Sequence, residues 1–193
     1  MCGTSIITET IMSKRALILI DIQHDYFADG KWPLHGMGTA AGNAALILAA
    51  ARAAGDTVVH VHHEFESADA PFFAPGSPGA QIHGEVKPLA GETVVLKHNV
   101  NAFLGTDLKA LLDKAGVENV TLVGAMSHMC IDAAARASAD FGYATTVIHD
   151  ACATRDQEFE GKQVPAAQVQ AAYMAALAFA YATVVSTEKY LAG

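Results

Sequence analysis

The stretch Ala16-Leu17-Ile18-Leu19-Ile20-Asp21-Ile22-Gln23-His24-Asp25 decides the fold. Five apolar residues in a row, with no polar alternation, describe a strand buried on both faces, and such strands belong to parallel sheets covered by helices. Shorter β-branched runs follow at 57–61, 93–96, 120–123, 145–148 and 183–185. Between them lie Ala- and Leu-rich stretches of helical length at 39–54, 105–115, 129–141 and 165–181. This alternation predicts an α/β chain: a six-stranded parallel sheet in a three-layer αβα, Rossmann-like arrangement. Glycines at 55, 91, 116 and 142 fall where a helix or loop gives way to the next strand. The Pro- and Gly-rich gap between the second and third strands reads as a long loop with little helix, part of the wall of a site.

In an open parallel sheet, ligands bind beyond the carboxyl ends of the strands, where strand order reverses. The residues that leave the strands there are Asp21, His62-His63-Glu64, Lys97-His98, the turn Gly124-Ala125-Met126-Ser127-His128-Met129-Cys130, and His149-Asp150. Cys130 opens a helical run, where the helix dipole and free backbone N–H groups favour a thiolate; by position alone a small buried hydrophobe is the commoner role of a free cysteine. Lys97 at a strand end can hold such a thiolate by charge or simply snorkel to water. Asp21 is placed to exchange a proton or to cap its own turn.

Taken together, the segments Leu19 to Phe27, Lys97-His98-Asn99-Val100-Asn101-Ala102-Phe103 and Gly124 to Cys130 resemble those of the isochorismatase-like hydrolases. That family includes nicotinamidases, N-carbamoylsarcosine amidases and ureidoacrylate amidases, and the resemblance runs from residue 16 to about 188. It implies a triad of Cys130 as nucleophile, Asp21 as proton shuttle and Lys97 supporting both. It also implies a non-proline cis peptide between Ala125 and Met126, with the backbone N–H groups of Met126 and Cys130 as oxyanion donors. The implied reaction is cleavage of a C–N bond in a small amide, ureido or carbamoyl compound through a thioester, with no redox or organic cofactor. Enol-ether hydrolysis is the alternative within the family. Nicotinamidases in addition carry metal ligands after the second strand, but His63 and Phe65 stand in those positions here, so the resemblance predicts no metal. His60, His62 and His63 invite a metal reading by themselves, yet strand alternation turns His63 away from the other two.

Gln23, Phe27, His63, Phe72, Phe73, Phe103 and His128 are the candidate substrate-binding residues, with core packing as the competing role of the aromatic ones. A nicotinamide-dependent oxidoreductase is disfavoured because Asp21 to Phe27, directly after the first strand, contains no glycine. A catalytically silent binding protein on the same fold would lack a triad member, and none is missing.

Composition sets the remaining expectations. The chain has 193 residues, 52% of them hydrophobic, enough for one domain over 14–193 preceded by a loose extension at 1–13. The formal charge of −8 and 12 scattered Lys and Arg residues argue against nucleic acid as a partner. No apolar run is long enough to cross a bilayer, and Lys14 and Arg15 follow the early apolar residues where a signal peptide would place them first. A cytoplasmic location is the expectation, in keeping with three cysteines (Cys2, Cys130, Cys152) in no paired pattern. Cys152 reads as a structural thiol. The uncharged stretch Ala166 to Ala182 is apolar on more than one face and predicts a homo-oligomer, a dimer or tetramer.

Overall fold

The computed structural model describes residues 14–193; the extension at 1–13, and Cys2 with it, lies outside the described residues. Six strands form the central sheet: β1 (Arg15–Ile20), β2 (Thr57–His63), β3 (Thr93–Lys97), β4 (Asn119–Ala125), β5 (Ala144–Ala153) and β8 (Thr183–Val185). They pair in the order β3-β2-β1-β4-β5-β8, every neighbour parallel. A small antiparallel hairpin, β6 (Gln157–Phe159) and β7 (Lys162–Val164), stands apart; the hydrophobic pattern of the chain holds no hint of it.

Helices cover both faces. On one side α1 (Met37–Ala54) and the short α5 (Thr187–Leu191) pack on Leu17, Leu19, Val58 and Val123. On the other, α2 (Leu108–Lys114), α3 (Asp132–Asp140) and α4 (Ala166–Ala180) pack on Ile18, Ile20, Val59, Val61, Val95 and Leu122. The central strand β1 is buried on both faces, as its unbroken apolar run requires. α4 buries Ala166, Val169, Met174 and Leu177 and turns its other alanines outward along with Phe179, which is 92% exposed.

Strand order reverses between β1 and β4, and there the two backbones come close. Gly124 has φ +126°, and a Cβ on it would sit 1.9 Å from the carbonyl oxygen of Ile20. Only glycine fits, because both the dihedral and the clash involve main chain that no rotamer change can relieve.

Two departures from the sequence pattern bear on the site. β5 runs ten residues where four were expected, because its register against β4 jumps from Leu122↔Val147 to Gly124↔Cys152. The extra residues bulge and pairing resumes, so the strand leaves the sheet at Thr154-Arg155 and not at His149-Asp150. Before α3, the chain makes a π-helical turn over Ser127–Ile131, so Cys130 lies within that turn and the α-helix starts two residues later.

Gly124→Ala is expected to cost about 3 kcal/mol or more, or to prevent folding. Urea denaturation of the variant beside Gly38→Ala, where a Cβ meets nothing within 4 Å, measures it.

Candidate active site

Asp21, Lys97 and Cys130 come together at the carboxyl end of the sheet. Lys97 Nζ lies 2.8 Å from Asp21 Oδ2 and 3.4 Å from Cys130 Sγ. Lys97 and Asp21 are fully buried and Cys130 is 6% exposed. Alternation alone does not produce this meeting. An extended Asp21 would follow Leu17 and Leu19 onto the α1 side, whereas Lys97 follows Val95 onto the other. Asp21 instead takes φ 54°, a left-handed backbone uncommon for a residue with a side chain. The strain is of order 1 kcal/mol, and the break in alternation accompanies the turn of the carboxylate toward Lys97. Its contact with the ammonium is one of charge: neither carboxylate oxygen accepts an aligned hydrogen bond from a described residue. Lone pairs on Asp21 thus remain open to a proton.

The electrostatics correct one expectation. The helix terminus was to lower the Cys130 pKa; instead burial, and then the negative charge of Asp21, push the thiol up to about 12 against the opposing pull of Lys97. Cys152, also buried, is likewise pushed up to about 12. The two thiols differ not in ease of ionisation but in company, since only Cys130 has a carboxylate and an ammonium beside it. Burial pulls the Lys97 ammonium down, but Asp21 and Cys130 together more than offset this and its pKa ends above the ordinary value. Tyr26 is held as a neutral phenol by burial and by Asp21 and Cys130.

The Ala125–Met126 peptide is cis. The turn it opens is tied to β5 by Ser127 Oγ donating to the carbonyl of Ala153 and by His128 Nδ1 against Thr154 Oγ1 at 2.6 Å. His128 is half-buried and faces a cavity of about 470 Å³ with Trp32, Met126, Met129 and Arg155.

The other candidate binding residues separate. Gln23 is fully buried, and its amide is committed to main chain: it donates to the carbonyls of His63 and Ala80 and accepts from the N–H of His63. It clamps the end of β2, with both of its N–H donors committed to main chain. Phe72 and Phe73 are buried in an aromatic cluster with Tyr26, Trp32 and Phe65, which forms the core of the long loop. Asp25 pins that loop by accepting from the N–H of Phe73 at 2.7 Å. Phe103 is buried against Phe141, and Phe27 stacks on His83 around a different cavity. His63 lies beside Lys97, Nδ1 to Nζ 3.1 Å, while His60 is on the opposite face bonded to Glu92 at 2.9 Å. The three neighbouring histidines therefore do not converge, and among the described residues no three His, Cys, Asp or Glu side chains form a metal-holding group.

Arg155 is the residue that strand patterning missed. Its guanidinium lies 4.2 Å over the Trp32 ring, which in turn stacks on Phe72, and no carboxylate of the described residues pairs with it. The signal was present in the register: a β5 extended to Ala153 brings Arg155 to the sheet edge.

A parallel α/β sheet with a buried Asp-Lys-Cys cluster at its switch point defines a class of hydrolase, and comparison with known proteins specifies the family. Residues 15–188 match the isochorismatase domain. The isochorismatase family protein YddQ of Bacillus subtilis is 48% identical over 91% of this chain and 98% of its own length. Maleamate amidohydrolase of Pseudomonas putida is 32% identical over 75% of each chain. The crystal structure of an isochorismatase-type hydrolase from Oleispira antarctica, 55% identical, superposes with a TM-score of 0.90 over 93% of this chain and 96% of that one. The chain belongs to the isochorismatase family, whose relatives include amidohydrolases. No helix among the described residues is long and apolar enough to cross a membrane.

The buried histidines set the acid stability. Burial first, then the Lys97 charge, lower His63 from 6.5 to about 4, so between those values the unfolded chain binds a proton that the folded chain refuses. Its contribution is lost as pH falls from about 6.5 to about 4 and is constant below. Glu92, held at about 2 first by its bond from Arg52, adds a loss between about 4.5 and 2. Thermal melts should show a falling Tm in two overlapping steps; Glu92→Gln should remove the second and leave the first.

Proposed function

We propose that this chain hydrolyses a C–N bond of a small amide, ureido or carbamoyl compound through a thioester on Cys130. The observation that carries the reading is the Lys97 ammonium held out of water between Asp21 and Cys130. A thiol raised to about 12 is protonated at rest, so it needs a base at hand, and the unfilled lone pairs of Asp21 are that base. Moving the proton from sulfur to Asp21 leaves one negative charge in the cluster, now on sulfur beside Lys97. Proton transfer and attack thus proceed without creating net charge in a low dielectric.

Sulfur then bonds to the substrate carbonyl carbon, and the oxyanion takes hydrogen bonds from the backbone N–H groups of Met126 and Cys130. The C–N bond breaks as Asp21 returns its proton to the departing nitrogen. Water attacks the thioester, giving one proton to Asp21; the C–S bond breaks, that proton returns to sulfur, and the acid leaves. Every proton is carried by Asp21, and Lys97 stays charged throughout.

Arg155 narrows the substrate. The Arg155 guanidinium lies over the Trp32 ring, no carboxylate of the described residues forms an ion pair with it, and it suits a carboxylate on the substrate, in the cavity it shares with Met126, His128, Asp156 and Glu158. Maleamate, the substrate named for the Pseudomonas relative, is an amide of that kind.

A panel of primary amides, ureido acids and carbamoyl compounds, with and without a carboxylate, should show ammonia release by the parent. Cys130→Ala and Asp21→Asn should lower kcat about 10³-fold or more. Arg155→Ala should raise KM about 10- to 100-fold for the acids only. Cleavage of an enol ether by parent and Cys130→Ala alike, with every amide untouched, would replace this reading.

A further inference from the structure

Lys97 has more acceptors around it than the two reacting groups. Its Nζ donates to the carbonyl of Asn99 at 3.1 Å and meets His63 Nδ1 at 3.1 Å. His63 and Lys97 are partners in the β2–β3 register, so their side chains leave the same face of the sheet. The His63 main chain is fixed on both sides by Gln23, and its ring is walled by Phe65 and Phe73 at centroid distances of 4.6 and 6.3 Å. The imidazole therefore has little freedom to turn away from the ammonium.

We infer that His63 is the positioning residue of this site: its unprotonated Nδ1 accepts from the Lys97 ammonium and, with Asn99, holds it between Asp21 and Cys130. The inference rests on the proposed triad. An ammonium carries only donors, so Nδ1 must present its lone pair and the ring proton resides on Nε2. That nitrogen is buried and accepts no hydrogen bond from the described residues, so its lone pair is not needed there; the competing arrangement is a ring N–H donated to the Asn99 carbonyl, which would leave the ammonium without its acceptor on His63. Without His63 the ammonium, already 2.8 Å from Asp21 Oδ2, would keep Asn99 and the Cys130 sulfur as its neutral anchors and would be free to turn a further N–H onto the Asp21 lone pairs that the thiol proton needs. Protonation of His63 would have the same result, setting a second cation 3.1 Å from the first. The charged or titratable groups that act on the ring are Lys97 and His98 from the end of β3 and Asp21 from the end of β1. Lys97 resists that protonation and Asp21 favours it, and burial resists it most.

Two measurements test the assignment, the first without any substrate. Long-range ¹H–¹⁵N spectra of the full chain should show His63 as the Nε2–H tautomer from pH 8 to below 6, and Lys97→Met should move its titration upward. A proton on Nδ1, or a titration that Lys97→Met leaves in place, overturns the proposal whether or not the chain cleaves amides. The second is kinetic, on an amide from the panel above. His63→Leu should lower kcat about tenfold or more at pH 7 with little change in KM. His63→Asn, whose side-chain oxygen takes the place of Nδ1, should recover most of kcat and lose the acid limb that His63 imposes. Equal losses in both variants, or the same acid limb in His63→Asn, would show a ring that only fills space.

Discussion

One ammonium group kept out of water organises the active edge of this molecule. Placing a lysine charge at the end of β3, fully buried, costs several kcal/mol of hydration, and Asp21, buried with it, adds a similar cost. Neither survives there alone. Together they offset each other only because the surroundings place them 2.8 Å apart, and those surroundings are the features of the fold that look least regular. Asp21 sits in a left-handed backbone, Gly124 lets β4 close on β1, and Gln23 fastens the end of β2. Each of these fixes one of the chain segments that meet around the ion pair.

The same constraint explains why the thiol is not ionised at rest. A site with two anions and one cation would carry uncompensated charge in a low dielectric, and burial with the neighbouring Asp21 holds the proton on Cys130. In the proposed mechanism, giving Asp21 the proton removes its charge for a moment and yields a thiolate beside Lys97 without creating net charge. The helix terminus, which by itself would favour thiolate, is outweighed by burial and by the neighbouring carboxylate.

Much of this was legible in the sequence because a parallel sheet gathers the residues at its strand exits along one edge. The apolar run Ala16 to Ile20 marks the centre, and Asp21, Lys97 and Cys130 each lie at or just beyond a strand end. The features that stayed hidden depend on departures from regular geometry. The bulge in β5 lengthens the strand by residues that do not look β-like, and so Arg155 was out of view. The left-handed turn at Asp21 breaks alternation without a glycine to announce it. Burial decided the aromatic residues: Phe72, Phe73 and Phe103 have the composition of a pocket wall and the exposure of a core.

The histidines show how strand parity assigns roles that residue type does not. His60 and His63 are three apart on β2 and leave opposite faces. On the α1 side, His60 meets Glu92, which is itself held by Arg52, and that network ties the long loop to the sheet. Across the strand, His63 meets Lys97 and can only accept from it. One imidazole thus supports a carboxylate in a structural network and the other an ammonium in a reactive one, and a register shift of a single residue would exchange them. The pairing of β2 with β3 therefore shapes the site: the register sets His63 opposite Lys97, at the strand end where that lysine meets Asp21 and Cys130.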